Sequence, residues 1–173
     1  MPIETLKSAV RDVPDFPEPG IVFKDITPIL SCPDLFSLAI DKMIESLGEN
    51  KIDKIVGIDA RGFIFGSIIA QKLKCGFTPA RKAGKLPWET IQETYQLEYG
   101  EATLEMHKDA IKEGESVAII DDLLATGGTS KAAANLVNKL GGNIHSISFF
   151  VELTFLPGRD VLKDFQVHSL LQY

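Results

Sequence analysis

Cysteine is scarce in this chain: Cys32 and Cys75 are the only two among 173 residues, with no CxxC spacing and no histidine cluster nearby. That excludes a disulfide framework and a zinc site of the usual spacing, and two unpatterned thiols predict a reducing, cytoplasmic setting. Basic charge is short as well. The 18 Lys and Arg face 24 Asp and Glu for a net charge of -6, so no broad basic face is left for a nucleic-acid backbone or an anionic membrane. No uncharged apolar run approaches the ~18 residues of a spanning helix, and the opening Met-Pro-Ile-Glu-Thr lacks the basic start of a secretory signal. There is no G-x-G-x-x-G, and Gly57-Ile-Asp-Ala-Arg-Gly62 has Walker spacing but continues with Phe63-Ile64 instead of Lys-Ser/Thr. A dinucleotide dehydrogenase and a nucleoside triphosphatase are therefore disfavoured.

What remains is ordinary globular composition, 45% hydrophobic and 24% charged, without repeats or low-complexity segments. A chain of this length predicts one domain spanning 1–173. Phe36, Ile40, Met43, Ile44 and Leu47 recur at helical spacing, which predicts an amphipathic helix over 34–47 closed by Gly48. Lys54 to Ile58 reads as a buried strand, followed by a turn and a buried helix over 63–73. A strand over 77–80 follows, then a long loop or flap punctuated by Gly and Pro that ends in strands near Tyr95–Tyr99. Strand 117–120, a helix from about 130 to 140 and strand 144–151 complete the pattern. The alternation predicts an α/β fold, a mostly parallel sheet flanked by helices, with the ligand outside the carboxyl ends of the strands.

The chemistry concentrates in Val117-Ala-Ile-Ile-Asp-Asp-Leu-Leu-Ala-Thr-Gly-Gly-Thr129. A small-residue turn opening a helix offers successive backbone N–H groups and the positive end of the helix dipole, a cup for a phosphate dianion. Gly127 and Gly128 let the backbone approach, and Thr126, Thr129 and Ser130 add hydroxyls. Asp121 and Asp122 repel phosphate and each other, so they must face something else, such as sugar hydroxyls or a cation. A sugar phosphate suits both halves. Residues 72–85 reverse the local charge, carrying Lys72, Lys74, Arg81, Lys82 and Lys85 with no acidic residue.

This stretch closely resembles the phosphoribosyl-pyrophosphate signature of the type I phosphoribosyltransferases. Phe16-Pro-Glu-Pro-Gly-Ile-Val-Phe-Lys-Asp25, Ala60-Arg-Gly-Phe-Ile-Phe-Gly66, Arg81-Lys-Ala-Gly-Lys-Leu-Pro87, Glu93-Thr-Tyr-Gln-Leu-Glu-Tyr-Gly100 and Val151-Glu-Leu-Thr154 extend the resemblance to the branch that takes adenine. It implies an N-terminal hood over about 1–33, a flexible flap over about 83–108, and a reaction of adenine with phosphoribosyl pyrophosphate that gives AMP and pyrophosphate. It also implies Mg²⁺, delivered with phosphoribosyl pyrophosphate and touching the protein mainly through water, with no protein metal cage, and a homodimer.

The site residues follow by position. The resemblance gives the 5′-phosphate to Ala125, Thr126, Gly127, Gly128 and Thr129, and the ribose hydroxyls to Asp121 and Asp122, whose charge favours an oxocarbenium-like centre. It gives the pyrophosphate to Arg61, Arg81, Lys82 and Lys85, with a non-proline cis peptide at Asp59-Ala60. Adenine is expected to stack on Phe23, with Leu153 on its other face, while backbone groups of Val22, Phe23 and Lys24 read its edge and reject 6-oxopurines. Glu98 resembles the family's acid/base residue near adenine N7, and Tyr95 and Tyr99 are expected to help the flap close. Trp88 departs from the commoner bacterial pattern, where a basic residue stands, and His107, His145 and His168 match no catalytic role.

Overall fold

The computed structural model describes residues 2–97 and 100–173. They form two compact units, Met1–Lys42 and Met43–Tyr173.

The first unit holds helix α1 (Ile3–Ala9), strands β1 (Arg11–Pro14) and β2 (Val22–Asp25), helix α2 (Thr27–Leu30) and most of helix α3 (Pro33–Ser46). β1 and β2 run antiparallel from Arg11↔Asp25 to Pro14↔Val22. Ion pairs Lys24–Asp12 at 2.6 Å and Arg11–Asp25 at 3.6 Å staple the ribbon across its strands. Asp25 then starts α2 by accepting from the Thr27 N–H at 2.9 Å and the Thr27 hydroxyl at 2.8 Å. The helical spacing read from the sequence is that of α3, in which Ile40 and Met43 are buried.

The second unit runs β3 (Lys54–Ile58), α4 (Gly62–Leu73), β4 (Gly76–Lys82), β5 (Thr90–Gln96), β6 (Glu101–His107), β7 (Ser116–Leu124), α5 (Gly128–Lys139), β8 (Asn143–Glu152), α6 (Gly158–Val161) and β9 (Val167–Gln172). Its seven-stranded sheet has the order β5-β6-β4-β3-β7-β8-β9. β4, β3, β7, β8 and β9 are mutually parallel, whereas β6 runs antiparallel to both β4 and β5. The sheet is thus mixed: a parallel core extended by a hairpin. That hairpin takes up the end of the segment expected to be a loop, and its first strand begins at Thr90 rather than near Tyr95.

Two crossovers leave the centre in opposite directions, β3-α4-β4 one way and β7-α5-β8 the other. Right-handed connections therefore put α4 and α5 on opposite faces of the sheet. The side chains of β8 agree with this. Phe150 stacks on Phe65 of α4, centroids 5.2 Å apart, while its neighbour Phe149 joins the core cluster with Ala132, Ala133 and Leu136 of α5. Glu93 of β5 accepts from Asn135 at 2.7 Å and Lys139 at 2.5 Å, which fastens the hairpin to α5. At the other end, hydrogen bonds from Arg159, of α6, hold the Glu152 carboxyl at about 2 against the effect of its burial. α6 is thereby tied to the end of β8.

Candidate active site

The sheet changes winding direction between β3 and β7, where open α/β sheets form a ligand crevice. β7 pairs with β3 only as far as Gly57↔Ile120, yet it continues beside β8 to Leu124↔Glu152. Asp121 and Asp122, expected just past a strand ending at Ile120, are therefore strand residues on the stretch that outruns β3. Both line a cavity of about 260 Å³ together with Asp59, Arg61, Lys82 and Thr129.

The two carboxylates are not equivalent. Asp122 is buried and takes a short ion pair from Arg61 Nε. Asp121 Oδ1 accepts the Asp122 N–H at 2.9 Å and lies 3.0 Å from where a Cβ on Gly62 would stand. Burial, and then the charge of Asp122, push the Asp121 carboxyl well above the usual 3.8, and Arg61 offsets this only in part. A carboxyl raised in the folded state contributes stability that is present below its unfolded value and lost as pH rises through its folded value. Asp121→Asn keeps the acceptor and removes that loss. It is expected to raise the Tm of the ligand-free protein at pH 7 by about 2–4 °C per kcal/mol recovered, and to flatten the decline of stability above pH ~4. Calorimetry between pH 4 and 8 checks this, and a Tm below wild type at pH 7 would show the pair to be stabilising.

Next to that cavity lies a second pocket of about 90 Å³, lined by Ala125 to Ser130 and sharing Asp121, Leu123 and Thr129 with the first. Gly127 is the N-cap of α5 at φ 82°, and no side chain caps the helix. The first α5 amides therefore have no intrahelical acceptor and face the pocket with the positive end of the dipole. The Tyr95 hydroxyl meets Thr129 Oγ1 at 2.9 Å, which brings β5 to the rim of the cup.

Of the expected cations, Arg61 and Lys82 reach the larger cavity. Arg81 is turned to Asp59, donating from Nε at 3.0 Å and from Nη1 to the Lys85 carbonyl at 3.3 Å. Lys82 and Lys85 are exposed and carry no ion pair among the described residues. The peptide bond Asp59-Ala60 is cis. Asp59 as the partner of Arg81 was not foreseen, although its position directly after a buried strand could have suggested it.

In the first unit, Val22, Phe23 and Lys24 lie on β2, which pairs antiparallel with β1. Phe23 packs edge-on to Phe16 at 5.3 Å beside an apolar cavity of about 220 Å³. The Lys24 ammonium is engaged by Asp12. Leu153, in the second unit, is half-buried just after β8, and its N–H donates to the Leu124 carbonyl at 3.0 Å. Glu98 and Tyr99 lie outside the described residues.

The family model described as "Phosphoribosyl transferase domain" matches residues 29–155. The adenine phosphoribosyltransferase of Koribacter versatilis is 53% identical over 170 residues, 98% of this chain and 93% of that protein. The solved adenine phosphoribosyltransferase of Thermoanaerobacter pseudethanolicus superposes with a TM-score of 0.97 at 49% identity, covering 99% of this chain and 100% of that one. The Saccharomyces cerevisiae enzyme, solved with an imino-altritol bisphosphate and adenine, gives 0.92 at 45% identity, with 97% of each chain covered.

Proposed function

The chain belongs to the adenine phosphoribosyltransferases, a family of type I phosphoribosyltransferases, and from that premise we propose how its residues divide the reaction. It transfers the 5-phosphoribosyl group from phosphoribosyl pyrophosphate to adenine, giving AMP and pyrophosphate in purine salvage. The observation that carries the assignment of residues is the uncapped start of α5 lining a pocket beside the cavity of the aspartate pair, with Asp121 and Thr129 common to both.

The amides of Ala125 to Thr129 anchor the 5′-phosphate, with the Thr126 and Thr129 hydroxyls assisting. That places the ribose over Asp121 and Asp122, whose carboxylates accept from its 2′ and 3′ hydroxyls. Their negative potential stabilises positive charge at the anomeric carbon as pyrophosphate departs. Arg61, Arg81, Lys82 and Lys85 take up the charge of the leaving group. Arg61 and Arg81 are now held by Asp122 and Asp59, so pyrophosphate shares guanidinium groups that are already oriented.

Among the described residues no group of three or more His, Cys, Asp or Glu could hold a metal ion. Asp121 and Asp122 nonetheless offer hard oxygen donors at the cavity, which fits a Mg²⁺ that arrives on the diphosphate and meets the protein through water. When bound, it neutralises charge on the leaving group.

Adenine is read by backbone groups of Val22, Phe23 and Lys24 and stacks on Phe23, and Leu153 keeps the apolar role that the resemblance gives it. Glu98 manages the purine proton, and Tyr99 helps to exclude water. An edge that offers a carbonyl to the exocyclic amine leaves polar groups unpaired when a 6-oxopurine enters. A homodimer and a cytoplasmic setting belong to the same proposal. The dimer rests on the resemblance, and the setting on two free thiols. No helix among the described residues is long and apolar enough to cross a membrane. Incubation with phosphoribosyl pyrophosphate, Mg²⁺ and each nucleobase in turn tests the reading: AMP from adenine is expected, and nucleotide formed only from hypoxanthine, guanine or orotate would overturn it.

A further inference from the structure

Glu105 stands on β6, opposite Arg81 of β4 and Gln92 of β5, and is only 2% exposed. A carboxylate this deep must be satisfied by hydrogen bonds or it destabilises the fold. Oε1 accepts from the backbone N–H groups of Gly84 at 3.0 Å and Leu86 at 3.2 Å. Oε2 accepts from the Thr90 hydroxyl at 3.3 Å and the Gln92 amide at 3.2 Å. Burial pushes this carboxyl up, yet the donors outweigh it and hold the group below its usual range. The two backbone donors flank Lys85, whose own carbonyl accepts from Arg81 Nη1 at 3.3 Å. Arg81 is in turn held by Asp59 at 3.0 Å. Three consecutive residues, Gly84 to Leu86, are thus clamped through their backbones, while the Lys85 side chain is exposed and unpaired among the described residues.

We propose that Glu105 is a positioning residue for the diphosphate: by holding the backbone on both sides of Lys85 it presents that ammonium to the pyrophosphate group of the substrate. A flexible lysine on a free loop would lose backbone as well as side-chain entropy on each binding event. The clamp removes the backbone part in advance. The inference rests on the proposed reading of Lys85 as a pyrophosphate contact.

The test is a double-mutant cycle read in KM for each substrate, with Tm measured alongside. Glu105→Ala is expected to raise KM for phosphoribosyl pyrophosphate at least about ten-fold and to leave KM for adenine within about two-fold. Glu105→Gln keeps a carbonyl oxygen for the Gly84 and Leu86 amides and should recover most of the loss, to within about three-fold of wild type. In a Lys85→Ala background, adding Glu105→Ala should change KM for phosphoribosyl pyrophosphate by less than about two-fold. If Glu105→Ala does not fold, Glu105→Asp takes its place. It keeps the charge but is too short to reach both loop amides and the β5 donors, so it should show a several-fold rise that vanishes in the Lys85→Ala background. Additive losses in the double variant, equal rises for both substrates, or unchanged KM in the folded Ala or Asp variant would overturn the proposal. Lys85→Ala at wild-type KM, in a protein whose wild type makes AMP, would overturn it at its root while leaving the reaction intact. A wild type that makes no AMP would instead overturn the reaction itself.

Discussion

Gly127→Ala is expected to weaken phosphoribosyl pyrophosphate binding by roughly ten- to a hundred-fold and to lower Tm by about 5–15 °C. Two costs add. At φ 82° the alanine pays the left-handed penalty, about 1–2 kcal/mol. Its Cβ would also stand 2.9 Å from the Gly158 carbonyl oxygen, 3.1 Å from Gly158 Cα and 3.2 Å from Val161 Cβ. Gly158 has little room to retreat, because it lies so close to the Ala125 carbonyl that its own Cβ would be 2.4 Å away, and Arg159 is anchored to Glu152. Overpacking of this kind costs about 1–3 kcal/mol. The turn must shift, and the amides proposed to hold the 5′-phosphate shift with it.

Gly114→Ala separates the two effects, since Gly114 also has φ 82° but no atom within 4 Å of an added Cβ. It should lose stability and keep its affinity. Isothermal titration with phosphoribosyl pyrophosphate, beside calorimetry of both variants, decides the matter. A Gly127→Ala dissociation constant within two-fold of wild type would mean that the 5′-phosphate is bound elsewhere.

The parts of this molecule legible in the sequence are those where one physical signal dominates. β3 and the first half of β7 are buried, so they read as continuous β-branched runs, and the aspartates near the end of β7 and the glycines that follow it mark the crevice. α5 announces itself by the glycines at its start and by Gly141 and Gly142 after its end. The start of β5 hid because it is an edge strand rich in polar residues, Thr90-Ile-Gln-Glu-Thr-Tyr-Gln96, whose order comes from pairing with β6 and from the grip of Asn135 and Lys139 on Glu93. β9 hid likewise, since His168 and Ser169 interrupt its apolar run. The ribbon of β1 and β2 depends on cross-strand pairs between Arg11, Asp12, Lys24 and Asp25, and pairings between strands leave no periodicity. Glu105 is the strongest case. A glutamate in a strand reads as solvent-facing, and only the folded positions of Gly84, Leu86, Thr90 and Gln92 reveal why it is buried.

Glu98→Leu is expected to slow the chemical step by about 10² to 10⁴, the usual contribution of a positioned acid or base, while affinity for phosphoribosyl pyrophosphate stays within about two-fold of wild type. Glu98 lies outside the described residues, so the expectation rests on Gln96-Leu-Glu-Tyr-Gly100 and on the chemistry of a purine that must manage a proton as N9 attacks. The structure adds the position of the strand leading to it: Tyr95, three residues earlier, already bonds Thr129 at the start of α5. The anchors proposed for phosphate and pyrophosphate sit on other segments, the α5 turn and the residues from Arg61 to Lys85, so a neutral residue at 98 removes no charge from them. Glu98→Gln should fall between wild type and Glu98→Leu, because its amide can still hydrogen-bond N7 but cannot take the proton. A loss confined to the leucine variant would reduce Glu98 to a hydrogen-bond acceptor. Single-turnover rates with equilibrium binding separate the outcomes: equal losses in rate and in binding, or unimpaired chemistry in Glu98→Leu, would leave Glu98 without a proton role and shift the search for the base to the substrates themselves.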